Sequence, residues 1–430
     1  MITSEWKRKA VHAGMGLFAL ALRFVDWRVA AAGAAAALLF NTVVLPRYGR
    51  VLYRDAARRH DAGIVAYPAM VLLLILVFRG PYLPIAAAVW AMMAFGDPAA
   101  AVAGKVLGGP RLPWNPEKTW VGLLANWAVA GAGSNLVFLF VSRREPDPDS
   151  VAILMIGAGI YAFLESVKSG IDDNLVAPLP AALAVYQLGM HWPPPWLLHL
   201  PLRWLAISLA VNVAVAVLMG ALRVVSRSGA VAGAVAGFVI LGFGGWRAYG
   251  LLWAFFLLGT LATKLGYRRK AAAGLAQSDS GRRGAAHVAA NCLVPAAFLL
   301  LGVPSLAFVA AFGAALADTL GTEVGALYGR RAFSPVTFRP LPPGTPGAVS
   351  WPGLAASLGG AGLIGVAGWR LGLVPLSALW AAILGGFLGS LAESFANRVA
   401  LRYGCRLDHE FSNAANTLVG GLLALRLGLR

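Results

Sequence analysis

The sequence predicts an all-α, polytopic integral membrane protein with about fifteen transmembrane helices in two helical-bundle domains. Three observations lead there. The chain of 430 residues is 59% hydrophobic and only 13% charged, with a mean hydropathy of +0.71, whereas soluble domains carry about 25% charged residues. Apolar runs long enough for a bilayer recur from end to end. Between them the basic residues gather in short clusters, which is how cytoplasmic loops are marked.

With windows of about 17–25 residues taken as spans, apolar segments fall at 10–25, 28–45, 62–79, 82–103, 120–141, 151–168 and 174–190, then at 204–222, 229–244, 248–265, 285–302, 304–325, 349–368, 372–397 and 412–428. The first follows Lys7, Arg8 and Lys9, and no cleavage site of small residues follows it at Arg23 and Asp26, so it reads as a retained helix. The stretch HWPPPWLLHLP from His191 to Pro201 cannot continue a helix, and its Trp residues suit a membrane interface. It divides the chain into domains at 1–190 and 204–430, with a linker at 191–203.

The 36 Lys and Arg against 18 Asp and Glu give a formal charge of +18. No basic face interleaved with aromatics can be drawn, which argues against a nucleic-acid partner. Most of the charge sits in clusters at 7–9, 47–59, 105–118, 168, 223–227, 264–283, 330–339 and 398–406, alternating with the spans so that the N-terminus lies inside and the C-terminus outside. The 51 glycines fit close helix packing in lipid. Two cysteines, Cys292 and Cys405, make neither a disulfide framework nor a CxxC metal site.

A charge near mid-bilayer costs about 2.5–3.5 kcal/mol, so carboxylates inside apolar segments need a reason. Asp97, Glu165, Asp318, Glu323 and Glu393 are such residues, and the topology puts each toward the cytoplasmic end of its helix. In the first domain, Gly96-Asp97-Pro98 reads as a helix that breaks and restarts with Asp97 as its cap. Gly104, Lys105, Gly108 and Gly109, followed by Asn115-Pro116-Glu117-Lys118-Thr119, offer phosphate-binding chemistry, since glycine admits close approach and lysine adds a point charge. Glu165 with Asp172, Asp173 and Asn174 makes an all-oxygen set suited to Mg²⁺ bridging nucleotide phosphates. His12 reads as a structural interface histidine.

The second domain repeats this order with other residues. Asp318, Thr319 and Glu323 end a helix; Thr319 and Glu323 share a face, and Asp318 joins them only if Gly321 loosens the turn. A Pro- and Gly-rich loop from Arg339 to Gly347 precedes Ser350, which opens the next helix. Ser390, Glu393, Ser394 and Asn397 form a polar stripe, and Ser412, Asn413 and Asn416 line the start of the last segment. Lys264, Asn291 and the cluster at 268–270 add polar groups on the same side. A bland reading of the stripe is interhelical hydrogen bonding, worth about 0.6–2 kcal/mol per pair. The shared order is consistent with an old parallel duplication, which residue identity alone does not demonstrate.

The pieces Arg8-Lys9-Ala10-Val11-His12, GDPAAAVAGKVLGG, NPEKTWVG, Glu165-Ser166 and IDDNLVAPL resemble the CTP-dependent polyprenol kinases, the family of phytol kinase and dolichol kinase, and more distantly phosphatidate cytidylyltransferase. SGAVAGAVAGFVIL, Lys264, AANCLVP, ALADTLGTEVG, GTPGAVSWPGLAASLGG, GGFLGSLAESFANR and FSNAANTLVG are similar to the membrane family that includes phytyl-phosphate kinase. The double resemblance implies consecutive steps: an isoprenoid alcohol is phosphorylated with CTP and Mg²⁺, and the prenyl phosphate then becomes a diphosphate. It implies catalytic roles for Asp97, Glu165, Asp173, Asp318, Glu323 and Glu393, with Asp97, Asp172, Asp173 and Asp318 as metal ligands. Nucleotide contacts would come from Lys105, Asn115, Glu117, Lys118, Thr119 and Asn174, and from Lys264, Asn291, Thr319, Ser350, Asn413 and Asn416. The sites would face the cytoplasm from the cell membrane. The rivals are a CTP:lipid nucleotidyltransferase and a secondary transporter, whose sites lie near the midplane rather than toward one face.

Overall fold

The computed structural model describes residues 9, 11–45, 62–167, 172–190, 202–222, 224–272, 284–329, 331–342, 344–402 and 408–428. Lys7, Arg8, the basic clusters at 47–59, Lys168, Arg223, Arg282, Arg283, Arg330, Arg406, Cys405 and the 191–201 stretch lie outside the described residues. The chain divides into two compact units, Met1–Pro193 and Pro194–Arg430.

Unit 1 contains α1 (Val11–Arg23), α2 (Trp27–Val44), α3 (Ala62–Val77), α4 (Gly80–Val106), the hairpin β1 (Arg111–Leu112) and β2 (Asn115–Thr119), α5 (Trp120–Ser142), α6 (Pro148–Ser166), the single turn α7 (Asp173–Val176) and α8 (Pro178–Met190). Its core is built on α4, whose residues from Ala86 to Ala94 are almost all fully enclosed. Here the expectation of a break at Gly96-Asp97-Pro98 is corrected. Gly96 (φ −67°, ψ −51°) and Asp97 (φ −60°, ψ −46°) are helical, Asp97 caps nothing, and the helix runs on through Pro98. Proline lacks a donor and its ring collides with the carbonyl four residues back. The π-turn at Met92–Gly96 widens the helix just before it and absorbs the misfit.

Unit 2 contains α9 (Leu202–Ala221), α10 (Arg227–Lys264), α11 (Tyr267–Ala272), α12 (Ala285–Leu300), α13 (Ser305–Tyr328), the strands β3 (Ala332–Phe333), β4 (Pro340–Leu341) and β5 (Val349–Ser350), then α14 (Trp351–Arg370), α15 (Leu379–Arg402) and α16 (His409–Gly428). α13 is its buried axis, enclosed by α14, α15 and α16. β3 pairs antiparallel with both β4 and β5. α10 is bent at Gly245 (φ 69°, ψ −173°), a conformation only glycine takes readily. Gly237 consequently packs against Tyr249, residues that a straight helix would hold about 18 Å apart. The windows at 229–244 and 248–265 are the two arms of this bend.

Among the described residues nine helices are long and apolar enough to cross a membrane, with shorter apolar helices at Val11–Arg23, Gly63–Val77 and Ala285–Leu300. Each window overlaps helix among the described residues, yet the count of fifteen does not follow. A helix of 16 residues, as in α3 and α12, reaches about 24 Å against a hydrocarbon core of about 30 Å. The 174–190 window is split between α7 and α8.

In lipid the helices gain little from burying apolar surface against each other, so close backbone packing at small residues holds them together. A β-carbon on Gly386 of α15 would stand 3.0 Å from Gly313 C, 3.1 Å from Ala314 N and 3.2 Å from Ala310 O, all backbone of α13. Gly386→Val should therefore destabilise unit 2 by about 1–3 kcal/mol or more. Gly362→Ala, which meets nothing within 4 Å, should be near neutral. Thermal unfolding of both variants in detergent checks the contrast.

Candidate functional site

Each unit places its acids beside the same small-residue helix crossing. In unit 1, α4 presents Gly96, Ala100 and Gly104 to Thr119, Gly122 and Asn126 of the β2–α5 segment. A β-carbon on Gly122 would lie 3.0 Å from Ala100 O and 3.6 Å from Gly104 Cα, and one on Gly104 would lie 3.1 Å from Thr119 Oγ1. In unit 2, α13 presents Gly321 and Gly325 to Ser350, Gly353 and Ser357. A β-carbon on Gly353 would lie 2.9 Å from Gly321 O and 3.5 Å from Gly325 Cα, and one on Gly325 would lie 3.4 Å from Ser350 Oγ. Thr119 and Ser350 each end a strand and cap the helix that follows, accepting from Gly122 N at 3.1 Å and Gly353 N at 3.3 Å. Asp97 and Asp318 occupy matching places, each seven positions before the glycine that meets the capping hydroxyl. The shared order in the sequence is thus also a shared local geometry.

The unit 1 acids are compensated by lysines. Lys9 Nζ donates to both carboxylate oxygens of Asp97 at 2.6 Å. His12 Nε2 lies 3.1 Å from Met93 O, and its ring packs edge-on against Tyr67 at 4.5 Å. Lys118 Nζ donates to Glu165 O, to Glu165 Oε1 at 2.9 Å and to Asp173 Oδ2 at 3.3 Å. Burial opposes the Lys118 ammonium, but the carboxylates of Glu165 and Asp173 outweigh it and hold its pKa above the ordinary lysine value. Burial likewise lifts the Asp173 carboxyl above its usual range, with Lys118 working against it and Asp172 and Asp97 adding to it. Asn126 Nδ2 donates to Glu165 Oε2 at 3.3 Å, while Asn126 Oδ1 is buried without a partner.

The other unit 1 candidates take different parts. Asn115 is structural: its Nδ2 donates to Ser166 O at 2.9 Å and its Oδ1 accepts from Glu117 N at 3.2 Å. Asp172 caps α7, accepting from Asn174 N at 3.1 Å and Asn174 Nδ2 at 2.7 Å. Lys105 and Glu117 are exposed.

In unit 2 the turn at Gly321 is not loosened, the condition on which Asp318 would have joined Glu323. α13 is regular, so Glu323 does not join Asp318. It pairs instead with Lys270, a lysine 1% exposed that also donates to Thr263 O at 2.8 Å. Glu323 Oε1 is buried without a partner. Asp318 turns toward Glu393, so that the two carboxyls stand side by side. Glu393 Oε2 accepts from Asn416 Nδ2 at 2.9 Å, and Asn397 Nδ2 donates to Glu393 O at 3.2 Å. Thr319 Oγ1 donates to Ala315 O in its own helix at 2.9 Å, and Asn291 Nδ2 to His287 O at 2.8 Å. Lys264 is exposed. Gly347 (φ +70°) brings the Pro-rich loop against Ser394 and Arg398, whose Nε is buried without a partner.

A separate cavity of about 720 Å³, counted with its open mouth, lies between the arms of α10. Gly229, Ala230 and Gly233 form one wall and Tyr249, Trp253 and Phe256 the other, with Asn291 at its edge. Asn212 Oδ1 accepts from Tyr249 Oη at 3.1 Å beside it.

Among the described residues no three His, Cys, Asp or Glu side chains come together as a metal cluster. The donor chemistry of unit 1 nevertheless fits a hard cation: Glu165 and Asp173 meet on one ammonium, and the orphaned Asn126 oxygen adjoins Glu165.

Comparison with known proteins adds a family. The description "Integral membrane protein DUF92" matches residues 210–396, inside unit 2. An uncharacterised membrane protein of Synechocystis sp. is 32% identical over 191 residues, which cover 42% of this chain and 74% of that protein. Protein VTE6, chloroplastic, of Arabidopsis thaliana is 31% identical over 209 residues, covering 43% and 61%. Probable phytol kinase 2, chloroplastic, of Glycine max is 27% identical over 197 residues, covering 44% and 67%. No solved structure matches the chain.

The enclosed Lys270–Glu323 pair gives a direct test of charge compensation. Lys270→Met should cost about 3–5 kcal/mol by stranding a buried carboxylate. Adding Glu323→Gln should restore most of that loss, measured by thermal unfolding in detergent.

Proposed function

This chain belongs to the DUF92 family of integral membrane proteins, and on that premise we propose that it is a bifunctional isoprenoid-lipid kinase. Unit 1 phosphorylates a long-chain prenyl alcohol with CTP, and unit 2 converts the monophosphate to the diphosphate. The observation that carries the reading is the convergence of Glu165, Asp173 and Lys118 next to Asp97 and its own lysine, Lys9. Relatives named as phytol kinase support the substrate class. The apolar and aromatic lining of the cavity between the α10 arms suits an isoprenoid chain.

Phosphoryl transfer spreads negative charge over the oxygens of the moving group, so the protein's task is positioning and electrostatic stabilisation. Lys118 is 30% exposed, and it holds a phosphate oxygen of the nucleotide while Glu165 and Asp173 fix its direction. Lys105, at the exposed end of α4, adds charge for the outer phosphates. Asp97, oriented by Lys9, accepts the hydroxyl proton as the alcohol oxygen attacks the γ-phosphorus. The bond from that phosphorus to the bridging oxygen breaks, leaving prenyl phosphate and CDP. Glu165, Asp173 and the Asn126 oxygen would hold Mg²⁺, whose charge would offset that of the phosphates. In unit 2, Arg398 beside the Gly347 loop holds the phosphate of the incoming prenyl monophosphate, and Asp318 and Glu393 supply the acid chemistry. Both sites face the cytoplasm, where the nucleotide is.

Purified protein in detergent, given radiolabelled CTP and geranylgeraniol or phytol, should form the monophosphate and then the diphosphate. Asp173→Asn should slow the first step by on the order of 10²-fold or more while added monophosphate is still converted. Asp318→Asn should make the monophosphate accumulate. Pyrophosphate release in place of CDP would point to nucleotidyl transfer. Loss of both steps in each folded variant would show one composite site.

A further inference from the structure

The paired carboxyls of unit 2 differ from their unit 1 counterparts in what answers their charge. Asp97 and Glu165 each hold a lysine. Asp318 and Glu393 hold each other, and among the described residues neither forms an ion pair with a lysine or arginine. The imidazole of His409 lies within electrostatic reach of Asp318 but is exposed at the start of α16. Two carboxylates this close cannot both ionise unless something positive joins them.

The surrounding side chains indicate what that is. Asn416, 1% exposed, spends its Nδ2 on Glu393 Oε2, which leaves its Oδ1 beside the acids and without a partner. Asn413, 2% exposed and one turn earlier on the same face of α16, likewise has a buried, unpartnered Oδ1. A single proton shared by the two acids would satisfy the carboxyls and leave both amide oxygens bare, at about 1–3 kcal/mol each. A hard cation takes carboxylate and amide oxygens alike, and two carboxylates match a double charge.

We propose that Asp318, Glu393, Asn416 and Asn413 form a binding site for a divalent cation of the Mg²⁺ or Mn²⁺ class in unit 2, occupied without nucleotide. The assignment does not depend on the kinase reading, because it concerns an ion bound by the protein alone.

The test uses the full chain in detergent, stripped with EDTA and free of nucleotide. Mn²⁺ binding is followed by loss of the free-ion electron paramagnetic signal, and melting temperature is followed as Mn²⁺ or Mg²⁺ is added. Wild type and Asp173→Asn should both bind Mn²⁺ and melt higher with it. Glu393→Gln should weaken binding at least tenfold, and Asn416→Ala, which keeps both acids, should weaken it to a smaller degree. Should Glu393→Gln fail to fold, Asn416→Ala and Asn413→Ala carry the test. The proposal is overturned if millimolar Mn²⁺ neither binds nor shifts melting. It is overturned equally if binding is unchanged in the Asn416 and Glu393 variants, or if it disappears in Asp173→Asn alone. A kinase-inactive chain that still binds the ion at these residues would sink the kinase reading and leave the cation site standing.

Discussion

Helices in a bilayer have no water to escape, so the distance between their backbones decides what they can hold between them. In both units that distance is set where glycine or alanine on one helix meets glycine on the next: Ala100 and Gly104 against Gly122, Gly321 and Gly325 against Gly353. Close approach brings the capping hydroxyls of Thr119 and Ser350 into the crossing. It also carries Asp97 and Asp318 on helices with no freedom to move apart. The small strands act as spacers, delivering a capping residue to the start of α5 and α14 at the level of the acids.

On this common frame the two units answer the cost of a buried acid differently. Unit 1 uses ammonium groups from distant parts of the chain, with Lys9 reaching Asp97 and Lys118 reaching two carboxylates together. Unit 2 reserves its buried lysine, Lys270, for Glu323, and leaves Asp318 and Glu393 to amides. A frame that tolerates both solutions separates architecture from chemistry, since the crossing stays the same while the electrostatics inside it change.

Much of the architecture is legible in the sequence, because a bilayer writes its thickness into apolar runs. The windows from 120–141 and 304–325 coincide closely with Trp120–Ser142 and Ser305–Tyr328. Whether a shorter run crosses depends on its neighbours, and α3 and α12 show that helix and span are separate questions. The candidate acids stood out because a charge in lipid is costly, but their partners did not. Lys270 ends the run Arg268-Arg269-Lys270, which reads as a loop marker until packing encloses its last member. Lys9 had the same disguise. Asn126 goes unremarked in an apolar helix, although its spacing of seven from Thr119 sets both on one face, a signal that could have been used. Asp318 joins Thr319 and Glu323 only if Gly321 loosens the turn; the helix is regular there, and the two acids go to different neighbours. The β-hairpin at 111–119 left no trace, since Pro116 and the charges around it resemble any loop.

The π-turn before Asp97 is a place where the helix carries one residue more than its hydrogen-bond ladder would use. Upstream, the residues up to Ala94 are locked in the core; downstream, Gly96 is pressed against Asn126. Removing one residue from this turn would restore an ordinary ladder and leave the segments on either side facing as they do now, because the wider turn is what takes up the extra residue. What would return is the collision between the Pro98 ring and the carbonyl four residues before it. A deletion elsewhere in α4 would instead turn everything beyond it by about 100° and carry Asp97 away from Lys9. Met92–Gly96 is thus the stretch of α4 in which chain length can change at least cost to the position of the acid.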